Sequence, residues 1–301
     1  MYLSRWWTYQ DERFPLKQYL PLVSIFTVAM LSVAAALRGA AGMPSLAVLL
    51  AATLSTLLLF LQLRIADEFK DYMSDCAYRR YLPVPRGVVR LRNLGWLGVA
   101  AAAVQLGLAL WLAPAVLPWL LLVWGYMALM RVEFGISHWL RQRPLLYLVL
   151  HTPITPLIAL YVSAWDWAAA GVAPAAGVGW LLLISTGCGL ALEIGRKLRT
   201  PAQEEPGVET YSALWGAHTA ATVWVTVLLL CGGGMAALLQ SLHSPPALLL
   251  LPAALLLGAV VAGWRYTYFL GDADAKRLNQ LSGVWVLAVY GVIGTAALLA
   301  G

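Results

Sequence analysis

The residues of this chain best suited to chemistry are four carboxylates within nine positions, shortly after an apolar run ends at Leu63. They are Asp67, Glu68, Asp71 and Asp75. On a helix the last three share one face, at i, i+3 and i+7, and Asp67 lies beside Asp71. Acids at a helix C-terminus oppose the helix dipole, and Mg²⁺ completed by phosphate oxygens and water would relieve that conflict. The alternative interpretation is a solvated acidic loop.

A second polar cluster follows the sixth apolar run. It contains Glu193, Arg196, Lys197 and Arg199, then Glu204 and Glu205 in the loop. We expect Glu193 to assist the four acids in binding metal, with Glu204 and Glu205 as further candidates. Basic side chains near both clusters would then meet free phosphate oxygens: Arg64, Lys70, Arg196, Lys197 and Arg199. An ordinary basic loop beside a membrane explains Lys197 and Arg199 about as well.

Composition places these clusters in a membrane protein. The chain has 301 residues, of which 61% are apolar and only 11% charged, and its mean hydropathy is +0.76. Nine apolar runs that are nearly long enough to cross a bilayer predict nine transmembrane helices. The runs are 19–37, 45–63, 94–112, 116–130, 144–164, 176–192, 217–240, 247–268 and 283–300. We therefore expect an all-α polytopic protein with nine helices around a central apolar cavity and a cytoplasmic polar cap.

The charges between these runs predict a topology. Nineteen of the twenty lysines and arginines fall on the same side of a nine-span arrangement, which the positive-inside rule makes cytoplasmic. The amino terminus is then on the cytoplasmic side of the inner (cytoplasmic) membrane, and the carboxyl terminus is on the opposite side. We expect an amphipathic segment at 1–18, lying at the membrane surface, and one membrane domain at 19–301. Its cytoplasmic loops would be 64–93, 131–143, 193–216 and 269–282.

The first cluster also carries a family resemblance. The segment DEFKDYMSD, Asp67 to Asp75, resembles the N-D-x-x-D-x-x-x-D motif of the UbiA superfamily of intramembrane prenyltransferases. Asp67 stands at the Asn position and Glu68 at the first Asp. The later LPVPRG resembles the Arg-Pro-Val-Pro-x-Gly stretch of those enzymes, with Leu82 in place of the arginine. In the second motif Gly207 and Thr210 keep the family spacing, but glutamates replace the usual aspartates.

The resemblance implies Mg²⁺-dependent transfer of a prenyl group from a polyprenyl diphosphate to an acceptor within the bilayer. Asp71, Asp75 and Glu68 would be the catalytic acids, holding Mg²⁺ on the diphosphate as its C–O bond stretches. No nucleic acid is expected as a partner. The acceptor is not selected by the sequence: the loop 131–144 is basic and could bind an acidic acceptor or anchor helix ends at anionic lipid.

Three other functions remain open at this stage. The same metal site would serve a transferase that moves a sugar phosphate, such as a phosphoribosyl group, onto a polyprenyl phosphate. A terpene cyclase of the same superfamily is a second possibility. The altered second motif also allows a lipid-binding or transport protein without activity.

Overall fold

The structure is a computed structural model that describes residues 2–40 and 42–300, without the side chains of Tyr2, Leu3 and Arg141. Within those ranges the chain is helical and contains no strand. Nine segments of the described chain are long and apolar enough to cross a membrane. They are Leu16–Leu37, Leu46–Lys70, Leu91–Leu112, Pro114–Arg131, Pro144–Ala170, Val178–Gly195, Ala217–Ser241, Pro246–Phe269 and Asp272–Ala300. The expected all-α, multi-pass membrane class with nine spans is confirmed.

Backbone contacts divide the chain into two compact units, of which the first runs to Leu31 and resumes over Pro44–Ala173. Within it α3 packs against α5 and α9, and α9 also packs against α6. Its helices are α1 (Tyr2–Arg13), most of α2 (Leu16–Leu37), α3 (Leu46–Lys70), α4 (Tyr72–Tyr78), α5 (Leu91–Leu112), α6 (Leu117–Arg131), α7 (Ser137–Arg141), α8 (Pro144–His151) and α9 (Ile154–Ala170).

The second unit comprises Ser32–Met43, with Ala41 undescribed, and Pro174 onward. In it α10 packs against α12 and α14, and α13 packs between α12 and α14. Its helices are the end of α2, α10 (Val178–Gly195), α11 (Tyr211–Trp215), α12 (Ala217–Ser241), α13 (Leu250–Phe269) and α14 (Asp272–Ala300). The expectation of one membrane domain around a central apolar cavity stays a prediction.

The helices extend beyond the apolar runs that predict them. α3 continues through the charged residues to Lys70, and α14 begins at Asp272 instead of residue 283. Much of the expected loops 64–93 and 269–282 is therefore helical. The physical reason is that a backbone hydrogen-bond ladder does not stop where the hydrocarbon stops. Polar side chains continue the helix into the headgroup region, and acids such as Asp272 and Asp274 favour a helix N-terminus.

A close approach of helices in the second unit depends on Gly195. A Cβ at this position would lie 2.0 Å from Oγ of Ser282 and 3.2 Å from Nε1 of Trp224. Those two atoms are already joined by a 2.9 Å hydrogen bond donated by the indole. Alanine would therefore push α10 away from α12 and α14. At Gly179, on the same helix, a Cβ would meet nothing within 4 Å.

We expect Gly195→Ala to lower the free energy of unfolding by about 1–3 kcal/mol, the usual cost of overpacking. Gly179→Ala should be neutral or stabilise by up to about 1 kcal/mol, because alanine favours a helix over glycine. The measurement is denaturant unfolding of both variants in detergent micelles. Equal midpoints for the two variants would show that the contact at Gly195 is not close.

Candidate active site

The amino-terminal helix lies against the acidic segment. Tyr9 of α1 is buried in an apolar cluster with Ile65 of α3, Val84 and Val89 of the following loop, and Leu94 of α5. The loop resembling the Pro-Val-Pro stretch therefore packs into the core of the first unit. The expected amphipathic segment forms a helix that covers the end of α3, and its position on the membrane surface stays a prediction.

Arginines surround the first two acids. Glu68 is 1% exposed, and its Oε1 lies 2.6 Å from Nε of Arg13 and 3.6 Å from Nε of Arg64. Arg64 also reaches Asp67, whose side chain is 51% exposed, at 3.7 Å. A carboxylate as buried as Glu68 is stable only with such partners. The like-charge conflict that the sequence suggests is thus partly removed by arginines, one of them from α1.

The helix changes course between the acids. α3 ends at Lys70 and α4 begins at Tyr72, and Asp71 between them has φ −93° and ψ 2°. Its N–H still bonds to the carbonyl of Asp67 at 2.9 Å, and the N–H of Asp75 bonds to the carbonyl of Asp71 at 2.8 Å. The acids consequently remain about one turn apart, although the single straight helix assumed from their spacing is interrupted.

Asp75 of α4 is a buried acid. It is 2% exposed, and Oδ1 lies 2.5 Å from Nη2 of Arg79. Burial raises the pKa of Asp75 above its usual value, while the Arg79 guanidinium acts in the opposite direction and the Asp71 charge adds to the rise. A second cation beside Asp75 would therefore stabilise its charged form more than that of an exposed acid.

Several buried polar atoms around these acids have no hydrogen bond within the described part of the chain. They are Oη of Tyr9, Nε of Arg64, Oδ1 of Asp75 and Nε of Arg79. The 2.5 Å contact of Asp75 with Arg79 is an ion pair whose alignment does not make a hydrogen bond. Burial, with the Glu68 charge next in importance, raises the pKa of Tyr9 and keeps its hydroxyl protonated. Unbonded buried polar atoms are rare in proteins. Two of these atoms lie near Glu68 and two belong to the Asp75–Arg79 pair, so both places have polar atoms that a polar ligand would satisfy.

The carboxylates of the first cluster suit Mg²⁺ only if phosphate oxygens of a substrate complete the coordination of the ion. The described residues contain no group of three or more acids, histidines or cysteines placed to hold a metal. Mg²⁺ is commonly held by one or two carboxylates together with phosphate oxygens and water. Asp71 and Asp75 supply two such carboxylates, and their assignment as metal ligands stays a prediction. Asp67 and Glu68 already hold arginines, so their assignment as metal ligands, like that of Glu193, stays a prediction.

Lys70 has an aromatic partner that the sequence did not indicate. Its Nζ donates to the hydroxyl of Tyr147 on α8 and lies 4.9 Å from the centre of that ring. The Tyr147 ring stacks on His151 at 3.9 Å between centroids. Lys70 is thus held beside α8, and its expected contact with a diphosphate stays a prediction.

The second cluster is held together by its own ion pairs. Glu193 accepts from Nε of Arg196 at 2.8 Å and lies 3.0 Å from Nζ of Lys197. Arg199 contacts Glu205 at 3.0 Å. Glu204 instead accepts from two hydroxyls, those of Thr210 at 2.6 Å and Ser212 at 3.1 Å. Thr210 also caps α11, because its Oγ1 accepts from the N–H of Ala213 at 3.2 Å. The acids of this cluster therefore stabilise the loop, which weakens the case for a metal there.

A polar cavity of about 630 Å³ adjoins this cluster inside the second unit. Its charged lining residues are Arg196, Arg199, Glu204, Glu205, Asp272 and Lys276. The wall is fixed by Thr200, which is 1% exposed and donates to Oδ1 of Asp272 at 2.5 Å. Opposite charges balance around this cavity, so it can accept a ligand with both acidic and basic groups.

The basic loop 131–143 is tied to aromatic rings. The guanidinium of Arg131 lies 5.4 Å from the centre of the Phe69 ring, and that of Arg143 lies 4.3 Å from the Trp139 ring. Glu133 is buried. These contacts hold the two arginines against neighbouring rings, and both functions that the sequence left open for this loop stay predictions.

Sequence reasoning missed three contributors to the first cluster: Arg13, Arg79 and Tyr9. A usable signal existed only for Arg79, which stands four residues after Asp75 and so shares its helical face. Arg13 and Glu68 are 55 positions apart. No local pattern links residues at that separation, and their contact follows from the way α1 packs.

Fold and cluster together define a multi-pass helical membrane protein with buried acids and arginines at a helix end. No protein-family model and no curated protein matches the chain in sequence. Solved structures do match. A UbiA homologue from Aeropyrum pernix K1 shares 15% identity at a TM-score of 0.67, over 92% of this chain and 97% of that one.

Two further structures agree with this likeness. A study of digeranylgeranylglyceryl phosphate synthase describes a chain with 13% identity and a TM-score of 0.64, over 94% of this chain and 99% of that chain. A UbiA homologue from Archaeoglobus fulgidus bound to DMAPP and Mg²⁺ shares 12% identity at a TM-score of 0.51, over 92% of this chain and 99% of that one. The chain therefore has the fold of the UbiA homologues, as the resemblance of its first motif implied.

Proposed function

We propose that this protein is a Mg²⁺-dependent prenyltransferase of the UbiA type, which moves a prenyl group from a polyprenyl diphosphate to an acceptor within the membrane. The observation that carries the proposal is the buried group of acids and arginines around Glu68 and Asp75, with its four unbonded polar atoms. Its location within the motif that resembles the family's, on a chain with the UbiA fold, supports the same conclusion.

The acids and arginines around Glu68 and Asp75 together suit a diphosphate that carries a metal ion. Asp71 and Asp75 are proposed as the acids for the metal, because Glu68 is shared by Arg13 and Arg64 whereas Asp75 contacts Arg79 through Oδ1. Mg²⁺ bound there would supply the positive charge that stabilises the diphosphate as its bond to carbon breaks. Nε atoms of Arg64 and Arg79 would donate to the remaining phosphate oxygens.

The chain's own residues act in a fixed order. The arginines bind and orient the diphosphate, and Asp71 and Asp75 would hold the Mg²⁺ that neutralises it before the reaction begins. The carbon–oxygen bond of the prenyl diphosphate then breaks, and diphosphate leaves with the bonding electron pair. The acceptor attacks the allylic carbon and loses a proton to water or a nearby base. The hydroxyl of Tyr9, kept protonated by burial and without a hydrogen bond in the described part of the chain, would donate to an oxygen of the leaving group.

The substrate class is proposed from membrane embedding and from the neighbours. One solved neighbour is bound to DMAPP and Mg²⁺ and another to GPP and Mg²⁺. A polyprenyl chain would lie in the apolar part of the membrane domain, with its diphosphate at the polar end that the charge pattern makes cytoplasmic. Arg196, Lys197 and Arg199 are proposed as secondary contacts for phosphate oxygens. Glu204 and Glu205 are proposed as supports for that loop.

The test uses the purified full-length protein in detergent micelles, with radiolabelled GPP and longer allylic diphosphates. We expect Mg²⁺-dependent binding of the labelled diphosphate, abolished by EDTA. On adding membrane lipid extract as a source of acceptor, we expect release of inorganic diphosphate and a labelled lipid product. No Mg²⁺-dependent binding of any allylic diphosphate would overturn the proposal.

Other products identify the competing functions. Label in a hydrocarbon formed without acceptor would indicate a terpene cyclase. Transfer from a soluble sugar diphosphate to a polyprenyl phosphate would indicate the sugar-phosphate transferase. Tight binding of a polyprenyl lipid that needs no Mg²⁺ and forms no product would indicate a lipid-binding protein.

A further inference from the structure

A groove runs between α13 and α14 on the outer surface of the second unit. Its volume is about 640 Å³. Its lining includes Leu257, Gly258, Val261 and Val284 along the walls and Arg265 and Arg277 at one end. Along most of its length the groove is apolar, and its polar residues are confined to the end where α13 stops and α14 starts.

The apolar walls of the groove face outward. Leu257 is 71% exposed, Val261 57% and Val284 46%. Both helices are long and apolar enough to span a membrane, so these side chains contact hydrocarbon. Gly258 makes the depression, since a Cβ at this position would meet nothing within 4 Å. The shape and surface suit one extended acyl chain.

The polar end carries two arginines that share one acid. Nη1 of Arg277 lies 2.9 Å and Nε of Arg265 3.4 Å from Oδ1 of Asp274. The acid is 8% exposed, whereas the arginine side chains are 54% and 46% exposed. Two positive charges and one negative charge leave this end with a net charge of +1. Each guanidinium keeps further N–H groups beyond its contact with Asp274.

Aromatic residues fix the depth of these arginines in the membrane. Trp264, Tyr268 and Phe269 are 58%, 73% and 57% exposed and contact one another at the end of α13. Exposed tryptophan and tyrosine at a helix end mark the headgroup level of a bilayer. Arg265 follows Trp264 directly and lies 5.4 Å from the Phe269 ring. The arginines are therefore at headgroup level, and the groove leads from them into the hydrocarbon.

We propose that this groove binds one anionic phospholipid of the bilayer, with its phosphate on Arg265 and Arg277 and an acyl chain along the apolar wall. The excess positive charge at the rim selects an anionic headgroup over a zwitterionic one. The single acid, Asp274, is already paired twice and offers little to a choline or ethanolamine. This site is separate from the acid and arginine cluster of the first unit, and the proposal does not depend on the prenyltransferase activity.

The experiment is native mass spectrometry of the purified full-length protein in micelles with phosphatidylglycerol or phosphatidylcholine. We expect the wild type to prefer phosphatidylglycerol. A basic side chain at a membrane surface contributes about 1 kcal/mol to binding an anionic lipid, equivalent to roughly fivefold in affinity. Arg265→Gln and Arg277→Gln should each weaken the binding of phosphatidylglycerol by roughly that factor and leave phosphatidylcholine unchanged.

Two controls separate the site from general charge and from misfolding. Lys276→Gln removes the same charge from α14 at a residue that lines the other cavity of this unit, and it should keep the preference. Asp274→Asn leaves both arginines unpaired and should strengthen phosphatidylglycerol binding, whereas a disrupted helix pair would weaken it. If Lys276→Gln acts as strongly as the arginine variants, or an Asp274→Asn protein with wild-type helicity and thermal stability binds phosphatidylglycerol more weakly than wild type, the site is wrong.

A substitution that fills the groove tests the acyl chain. Gly258→Phe should weaken the binding of both lipids, while Gly125→Phe, at an equally open glycine on α6, should not. A lipid-free dimer of wild-type protein that Gly258→Phe dissociates would assign the groove to a second copy of the chain and overturn the proposal.

Discussion

Asparagine at Asp71 or Asp75 is expected to lower the rate of diphosphate release by about 10²–10³-fold, the cost of removing one group that stabilises a developing charge. Each change keeps the shape of the side chain and removes the charge. Asp75 is the buried partner of Arg79, and Asp71 joins α3 to α4. The measurement is release of inorganic diphosphate from an allylic diphosphate at saturating Mg²⁺, with the affinity for Mg²⁺ determined for each variant.

Asp67→Asn is the matched control for this prediction. Asp67 is half-exposed and lies 3.7 Å from Arg64, and asparagine is the residue that the resembling motif carries at this position. We expect less than a tenfold change in rate. Equal losses at Asp67 and Asp71 would show that the segment acts through its total charge. Full activity of the Asp71 and Asp75 variants together would contradict the proposed site.

Methionine at Arg13 is expected to lower the free energy of unfolding by about 3 kcal/mol. Removing one partner of a buried ion pair costs about 3–5 kcal/mol because the other charge is left without compensation. Arg64 lies 3.6 Å from the same carboxylate and still compensates part of its charge. We therefore expect a loss of stability at the lower limit of that range. The loss should be measured by denaturant unfolding in micelles. Arg13→Met together with Glu68→Met should recover part of it, since no charge then stays buried.

Arg86→Gln is the control for Arg13→Met because Arg86, in the loop after α4, also forms an ion pair with a residue of α1. It pairs with Glu12, and both side chains are 38% exposed. Exposed pairs contribute about 0–1 kcal/mol. A similar loss for the two arginine variants would mean that both act by detaching α1, and that the burial of Glu68 adds nothing.

Much of the membrane architecture could be predicted from local pattern. Apolar runs long enough to cross a bilayer must form helices, because no other local structure satisfies the backbone there. The nine spans follow from this requirement. The helix ends did not follow, as α3 extends to Lys70 and α14 begins at Asp272. Backbone hydrogen bonds continue through polar residues, so hydropathy marks only where the hydrocarbon ends.

The chemical partners of the acids depended on contacts far apart in the chain. The spacing of Asp67, Glu68, Asp71 and Asp75 singled out the segment and suggested the class of chemistry that we propose. It gave no indication that Arg13 would neutralise Glu68, or that hydroxyls of the second loop would hold Glu204. Such pairs form only when helices and loops pack against one another.

The sequence by itself therefore determined the membrane spans, the location of the acidic segment and the kind of ligand it suits, since these follow from hydropathy and from the charge of neighbouring residues. Tertiary structure alone decided that Arg13 pairs with Glu68 across 55 positions of the chain. It also decided that Arg265 and Arg277, 12 positions apart in sequence, share one acid at the rim of an apolar groove. The attraction between two opposite charges weakens with the distance between them in space. That distance is set by the packing of the helices and cannot be read from the order of the residues.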